Sequence, residues 1–530
     1  MCKNRIRIFF VTLCLCVAAN GAWAQQKYWI AFKDKPITGQ ACVSPQAARN
    51  RMLQNLPVCQ STDLPVDKYY VRQLQNLGIR PQVVSKWLNA ASARLDTNQL
   101  ACLKRLPFVR EITPVDGNIM IANEAAPAPD GEAESLLLGR GLGAALAYST
   151  ALNQIGAKAL TDEGLTGKGV KIGVIDVGFY GLKTNASLQH LREQNRIAET
   201  RDYVKPNRKE EFFAMETHSD WHGAEVVQMI AGYNPMQRME FGMATGATFY
   251  LARTDHGVRE TRSEEDNWVA ALERMDSLGV RLVNTSLGYA KGFSNPKENY
   301  KPSDMDGKTS KISRAAQIAA DQKGMLIVVS AGNEGDDLSW RIISTPADAE
   351  GVLAVGATKA KSRDKVGYSS IGPDFLAYLK PNVSCFAANG TSFAAPVIAG
   401  LAACLMEKLP KLTNRQLMRT IEKSAHLYPY GNNYVGYGVP DARKALQLLK
   451  DSTLKLNNVR ELRIKGDAFK YAVANAQAER AVVFHKRNDR MVVRQEVVAV
   501  VAGTVEFRRH PEARRTTVDL EDEVLEVFWE

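Results

Sequence analysis

The chain has 530 residues, 45% of them apolar and 24% charged, a balance near the globular average that excludes wholesale disorder and a long coiled coil. At about 150 residues per domain, the length allows roughly three to four domains. The formal charge of +11 is unevenly placed: residues 25–116 hold 13 Lys/Arg against 6 Asp/Glu, while residues 117–454 balance at 38 against 38. That distribution argues against a phosphate-tracking surface on the main body, and no nucleic-acid partner is expected.

Residues 1–24 join Lys3, Arg5 and Arg7 to an apolar run over 8–19 and then to Ala22-Trp23-Ala24. These are the three parts of a secretory signal peptide, with cleavage after Ala24. The apolar run is too short to span a bilayer, which needs about 20 residues. The later stretch 392–409 is the next most apolar but contains Pro396 and Glu407. The mature protein is therefore expected to be exported, to the extracellular space or the periplasm, with no transmembrane span. Cys2, Cys14 and Cys16 leave with the signal, and Cys42, Cys59, Cys102, Cys385 and Cys404 remain. An odd count in an exported protein leaves at least one free thiol; Cys42 and Cys59 are the pair best placed by proximity. No zinc spacing and no H-E-x-x-H is present.

Residues 25–116 read as a small α+β domain. Strands are expected over 28–32 and 109–115, helices over 46–56, 67–77 and 97–108, and an extended hairpin over 83–95. Residues 117–146, with the Ala-, Pro-, Gly- and acid-rich stretch 122–143, read as a linker. Residues 147–450 alternate strand-like runs (170–175, 248–252, 281–284, 325–329, 352–355) with helical ones (222–231, 264–278, 310–322), followed by helices over 392–409 and 414–425. Strands alternating with helices of that length predict an α/β fold, a parallel sheet covered on both faces. The polar insert 192–219 is expected to be an exposed loop. Residues 455–530, with β-rich runs at 481–485, 491–501 and 524–529, read as a separate small β-rich module.

Polar residues gather where these strands end. Asp176 directly follows the run 170–175, and in open parallel sheets functional groups collect at the carboxyl ends of strands. His222 opens a helix whose Val226, Val227 and Ile230 face the core, so the helix start aims the imidazole. Ser392 opens the next apolar helix, with Gly390, Ala394 and Ala395 small enough to admit a substrate backbone. Asn333 follows another buried strand. A serine hydroxyl needs an adjacent base, histidine accepts protons near neutral pH, a carboxylate orients the imidazole, and an amide donor stabilises an oxyanion. Taken singly, each residue has a plainer reading: an Asp after a strand caps a turn, and Gly-Thr-Ser followed by small residues starts a helix. The order Asp, His, Ser, each at an element boundary of one α/β pattern, is what coincidence does not explain.

Val174-Ile175-Asp176-Val177-Gly178, His222-Gly223-Ala224-Glu225-Val226, Asn284-Thr285-Ser286-Leu287-Gly288, Ala331-Gly332-Asn333-Glu334-Gly335 and Gly390-Thr391-Ser392-Phe393-Ala394-Ala395-Pro396 resemble the successive signatures of subtilisin-like serine proteases. The resemblance spans 147–450 and implies a serine endopeptidase acting through an acyl-enzyme. By it, Asp176 is the orienting acid, His222 the general base and Ser392 the nucleophile; Asn333 donates to the oxyanion together with the Ser392 N–H. Ser286, Leu287, Gly288, Ala331 and Gly332 would bind substrate. The stretches 89–95 and 103–115 look like the inhibitor propeptide of that family, which implies a self-processing zymogen whose partners are a protein or peptide substrate and its own propeptide. Catalysis then needs no cofactor; a structural calcium is left open, with no ligands assigned, and the loop of Asp304 and Asp306 is read as solvated. Ala224 stands where the family has threonine. His218 and His256 are expected to lie outside the catalytic set. Ser344 is expected near the pocket floor with no carboxylate beside it, which implies an apolar or broad preference. The competing reading, an inactive relative serving as a scaffold, is disfavoured because all four catalytic positions are filled. Another acyl hydrolase is disfavoured because no G-x-S-x-G elbow is present.

Overall fold

Lys171–Asp176 is β-branched and apolar enough to be buried on both faces, and it forms β5, near the middle of a seven-stranded sheet. The computed structural model describes residues 26–35, 43–115, 149–207, 212–236, 238–257, 263–291, 299–475 and 477–530. The expected signal peptide, the linker and Cys42 lie outside the described residues.

The N-terminal domain runs β1 (Gln26–Phe32), α1 (Pro45–Leu53), α2 (Lys68–Asn76), β2 (Val83–Ser85), β3 (Ala90–Leu95), α3 (Thr97–Leu103) and β4 (Val109–Pro114). Its antiparallel sheet has the order β2-β3-β1-β4. Strand alternation splits β1 between two environments: Ile30 and Phe32 pack on the domain's own Leu74 and Leu103, while Lys27 pairs across the boundary with Asp266 at 2.7 Å. The helix expected over 97–108 is shorter. Asp96 caps it by accepting the Gln99 N–H at 2.8 Å, and Pro107 disfavours helical geometry at Leu106, so the chain turns there into β4.

The main body continues with α4 (Lys158–Asp162), β5, α5 (Gln189–Glu193), β6 (Ile197–Asp202), α6 (His222–Ala231), β7 (Tyr233–Asn234), β8 (Met239–Glu240), β9 (Thr248–Arg253), α7 (Ser263–Ser277), β10 (Leu282–Thr285), α8 (Lys311–Lys323), β11 (Leu326–Ser330), β12 (Leu353–Thr358), β13 (Val383–Phe386), α9 (Ala395–Lys408), α10 (Asn414–Ser424) and α11 (Ala442–Lys450). The sheet is parallel, in the order β13-β12-β11-β10-β5-β9-β6. One face packs on α6, α9, α10 and α11, the other on α7 and α8. By composition and length the stretch Thr391–Lys408 could cross a membrane, but 83% of it is buried as the central helix.

One expectation is corrected here. The insert 192–219 is not a free loop: it carries the edge strand β6, and its Asp202, Thr217 and Ser219 are buried. The C-terminal residues have a core of their own around Phe469, Val483, Val505 and Leu525, and they also pack on the main body. They form a sheet β14 (Val459–Ile464), β20 (Val524–Trp529), β19 (Arg515–Asp519), β16 (Arg480–Lys486), β17 (Val492–Ala499) in that spatial order, and a ribbon of β15 (Ala468–Ala472) with β18 (Thr504–Arg508). Val482, Phe484 and Val492 share a core with Leu427 and Val435 of the main body.

The N-terminal domain rests on α7 and α8. Trp87 joins the core beneath them, and Arg51 reaches Asp276 while Lys323 reaches Asp63, at 2.8 and 2.9 Å.

Candidate active site

β5 and β10 are neighbours in register, Ile175 opposite Thr285, and their carboxyl ends open the crevice in which the polar residues meet. Asp176 is fully buried, and its Oδ1 accepts from Val177 N–H at 2.8 Å and lies 2.7 Å from His222 Nδ1. His222 is the first residue of α6, and Gly223 N–H donates to Gly178 O at 3.0 Å, tying the helix start to the turn after β5. Ser392 does not open the α-helix, as its sequence suggests; it sits in a 3₁₀ turn, Thr391–Phe393, ahead of α9. Its hydroxyl donates to Ser286 O at 3.2 Å, and the Ser286 hydroxyl donates back to Ser392 O at 2.8 Å. The Phe393 ring lies 5.5 Å from the His222 ring, which sets the imidazole beside the serine turn.

Asn333 is held from one side only. Its Oδ1 accepts from Thr391 N–H at 2.9 Å and lies 3.0 Å from the Thr391 hydroxyl. Its Nδ2 is left toward the Ser392 turn: a Cβ on Gly390 would lie 3.2 Å from it. The Ser392 N–H makes no backbone bond among the described residues.

Ala331 and Gly332 continue from β11, and Ser286, Leu287 and Gly288 from β10, so the two segments flank the cleft. Ser344 is buried against Gly288, where a Cβ would collide with its hydroxyl. The expectation that no carboxylate lies here is overturned. Gly332 has φ +114°, and a Cβ on it would lie 2.7 Å from Glu334 Oε2. That carboxylate accepts from the Ser370 hydroxyl at 3.0 Å; burial raises its pKa above the usual range, against the pull of that bond.

Sequence reasoning also missed Thr391 as the clamp on Asn333, and Asp255 just past β9. Asp255 accepts from Tyr289 OH at 2.8 Å. Its pKa is raised to about 7, first by burial, with the charge of Asp176 adding to it. His218 is exposed, and His256 follows β9 with its N–H on Glu264 at 2.7 Å. Among the described residues no group of His, Cys, Asp and Glu is arranged to hold a metal. Asp306 is occupied with its own turn, accepting from Lys308 and Thr309 N–H at 2.8 and 2.7 Å.

Residues 167–438 match the profile of the subtilase family, and residues 27–128 that of the peptidase S8 propeptide domain of Bacteroidota. Subtilisin NAT of Bacillus subtilis subsp. natto is 27% identical over 383 residues, covering 70% of this chain and 84% of the relative. M-protease of Shouchella clausii is 28% identical over 307 residues, covering 56% and 68%. Among solved structures, fervidolysin from Fervidobacterium pennivorans, a keratinolytic enzyme related to subtilisin, superposes with a TM-score of 0.50 at 17% identity, over 94% of this chain and 71% of that one. The epidermin leader peptide processing protease of Staphylococcus aureus gives 0.53 at 16% identity, over 81% and 99%. Both structural likenesses concern the fold.

Proposed function

The chain belongs to the subtilase family of serine endopeptidases and carries that family's propeptide domain, and from that membership we propose that Asp176, His222 and Ser392 cut peptide bonds through an acyl-enzyme. The observation that carries this reading is the buried 2.7 Å contact between Asp176 Oδ1 and His222 Nδ1. With Nδ1 held, Nε2 is the ring nitrogen left to take a proton. The Ser392 hydroxyl turns from Ser286 O to the imidazole, gives its proton to Nε2, and Oγ attacks the scissile carbonyl carbon. The oxyanion receives hydrogen bonds from Asn333 Nδ2 and Ser392 N–H. Collapse breaks the C–N bond as the imidazolium protonates the leaving amine, and water then hydrolyses the ester by the reverse proton path. Ser286, Leu287 and Gly288 on one side and Ala331 and Gly332 on the other hold an extended substrate.

We further read residues 25–116 as an intramolecular inhibitor, residues 117–146 as the linker that holds the scissile bond, and residues 1–24 as the signal that exports the zymogen. The catalytic domain is then 147–450 and the β-rich module 455–530. Two supports are the propeptide profile and the seating of β1–β4 on α7 and α8.

The test is maturation. Ser392→Ala should be exported and accumulate as a folded proenzyme of residues 25–530, inert to a fluorophosphonate probe, with His222→Ala blocked in the same way. His218→Ala and His256→Ala should mature as the wild type does. Normal processing of Ser392→Ala in a host lacking other exported proteases would refute the assignment.

A further inference from the structure

β9 reads Thr-Phe-Tyr-Leu-Ala-Arg, and a cation at the end of an otherwise apolar-facing strand needs a partner set. Arg253 is 2% exposed and lies in register with Asp176 on the adjacent β5. Its Nε donates to Val177 O at 3.0 Å, one terminal nitrogen to Asp202 Oδ2 at 3.2 Å, and the other to Glu216 Oε2 at 3.3 Å and Asp220 Oδ1 at 3.4 Å. These four acceptors come from three segments: the turn after Asp176, the end of β6, and the loop that leads into His222. Asp220 is two residues ahead of His222, and its second oxygen accepts from Glu216 and Thr217 N–H at 2.6 and 2.5 Å. Its carbonyl accepts from Tyr180 N–H at 2.7 Å, and a Cβ on Gly178 would lie 2.7 Å from it, so the two turns are in contact.

We propose that Arg253 is a positioning residue for the catalytic pair, a buried cation that fastens the turn bearing His222 to the turn bearing Asp176. The inference rests on the reading of Asp176, His222 and Ser392 given above. A planar guanidinium presents donors in a fixed fork and can hold several oxygens at set angles, which an ammonium on a flexible stem cannot do equally well. Asp202 and Asp220 are buried, so removing the guanidinium leaves two buried carboxylates without its charge and destabilises the turn they anchor. A shift of the turn moves the imidazole relative to both Asp176 and Ser392, and small misplacements of catalytic groups are costly to the reaction rate.

Among the described residues, the charged groups around this point are Asp176 from β5, Asp202 from β6, Lys205, Glu216 and Asp220 from the insert, and Asp255 from the loop after β9. Lys205 pairs with Glu216 at 2.5 Å. The balance is therefore carboxylate-rich even with Arg253 in place, and removing its charge makes the surroundings of His222 more negative, which favours the protonated imidazole.

The experiment uses the full chain, matured by itself, with activity expressed per site titrated by a fluorophosphonate. Arg253→Met keeps the length of the side chain and removes its charge. It should lower kcat at least tenfold with KM within about twofold of wild type, and the acid limb of the kcat/KM profile should move to higher pH. Arg253→Lys should keep the acid limb in place and lose roughly threefold to tenfold in kcat. Arg253→Met/Asp220→Asn, which removes the stranded carboxylate, should regain thermal stability without regaining kcat. A purely stabilising arginine would leave kcat per titrated site and the acid limb unmoved in Arg253→Met, and that result overturns the proposal. If Arg253→Met yields no folded protein, the lysine variant decides, since wild-type kcat there removes the need for the fork. A wild-type chain that the probe fails to label would instead defeat the underlying catalytic reading.

Discussion

Glu334 lies one residue beyond Asn333, and its carboxyl shares the wall of the cleft with Gly332 and Ser370. A negative group at that wall favours a basic side chain in the pocket. Because water reaches the cleft, the interaction is worth about 1 kcal/mol rather than the several expected of a dry pair. Glu334→Gln should therefore lower kcat/KM for peptides cut after Lys or Arg by roughly fivefold to tenfold, and leave cleavage after Leu or Tyr within about twofold. Burial raises the carboxyl's pKa, so the preference for basic residues should fade on acidification before an ordinary glutamate would lose its charge. A peptide series measured at two pH values checks both statements; an unchanged ratio in the variant sinks them. Glu334 was visible in the sequence but silent there. A motif announces Asp176, His222 and Ser392 because each sits at an element boundary with its own local pattern. The side chain of Glu334, like those of Thr391 and Arg253, acquires its meaning from segments far away in the chain.

The same contrast holds for elements. The central strands β5, β10, β11 and β12 are buried on both faces and read as apolar runs. The edge strands escaped notice: β6 is half-buried or exposed along all but its last residue inside a polar insert, and β13 has only four residues. Four strands of the C-terminal sheets were missed for a related reason: β14, β15 and β18 are short and largely exposed, and β19, though buried, has only five residues, so none carries a clear period. α1 was expected as a helix over 46–56, and what it does could be known only from the fold. Its Arg51 is fully buried, 2.8 Å from Asp63 in its own domain and 2.8 Å from Asp276 on α7, while Lys323 on α8 closes the ring to Asp63 at 2.9 Å. Two of these pairs cross from propeptide to enzyme. Removing one member of a buried charge set strands the others, at a cost of about 3–5 kcal/mol. Arg51→Ala should thus weaken the propeptide's hold by about a hundredfold or more and shorten the lag between linker cleavage and full activity. A time course of processed chain against peptidase activity measures that lag. If it matches the wild type, α1 is not a clamp.

At the scale of the molecule, the C-terminal sheets and the main body are joined by a small apolar core and by buried polar contacts, among them Val492 N–H to Asn433 Oδ1 at 2.8 Å and a cluster around His426. His426 Nδ1 accepts from Val439 N–H at 2.8 Å, so its proton is on Nε2, 3.1 Å from Asp519 on β19. Arg363 lies 3.0 Å from the same carboxylate. Burial, then the charge of Arg363, lowers the pKa of His426 below the usual histidine value; Asp519, which burial alone would raise, is held at about 2 by Arg363 and the hydrogen-bonded imidazole. The linkage has a definite sign. Above the ordinary histidine pKa of about 6.5, neither folded nor unfolded chain protonates the ring. Below it the unfolded chain takes up a proton that the folded one refuses, so stability falls as the pH drops from there toward the depressed value. Asp519, with its depressed pKa, keeps its full contribution above the ordinary carboxylate range and loses it only as the pH falls through that range toward about 2. His190, half-buried, and His485, buried, are also lowered, so part of the acid sensitivity lies elsewhere. The melting temperature of the full chain, carrying Ser392→Ala to prevent self-digestion, should therefore drop between pH 7.5 and pH 5. His426→Gln can still accept from Val439 and donate to Asp519 but cannot titrate. It should melt lower than its parent at pH 7.5, through imperfect geometry, and lose less on acidification. An equal loss in both chains would show that the contact between sheet and main body does not sense pH, and would leave His190 and His485 as the groups that do.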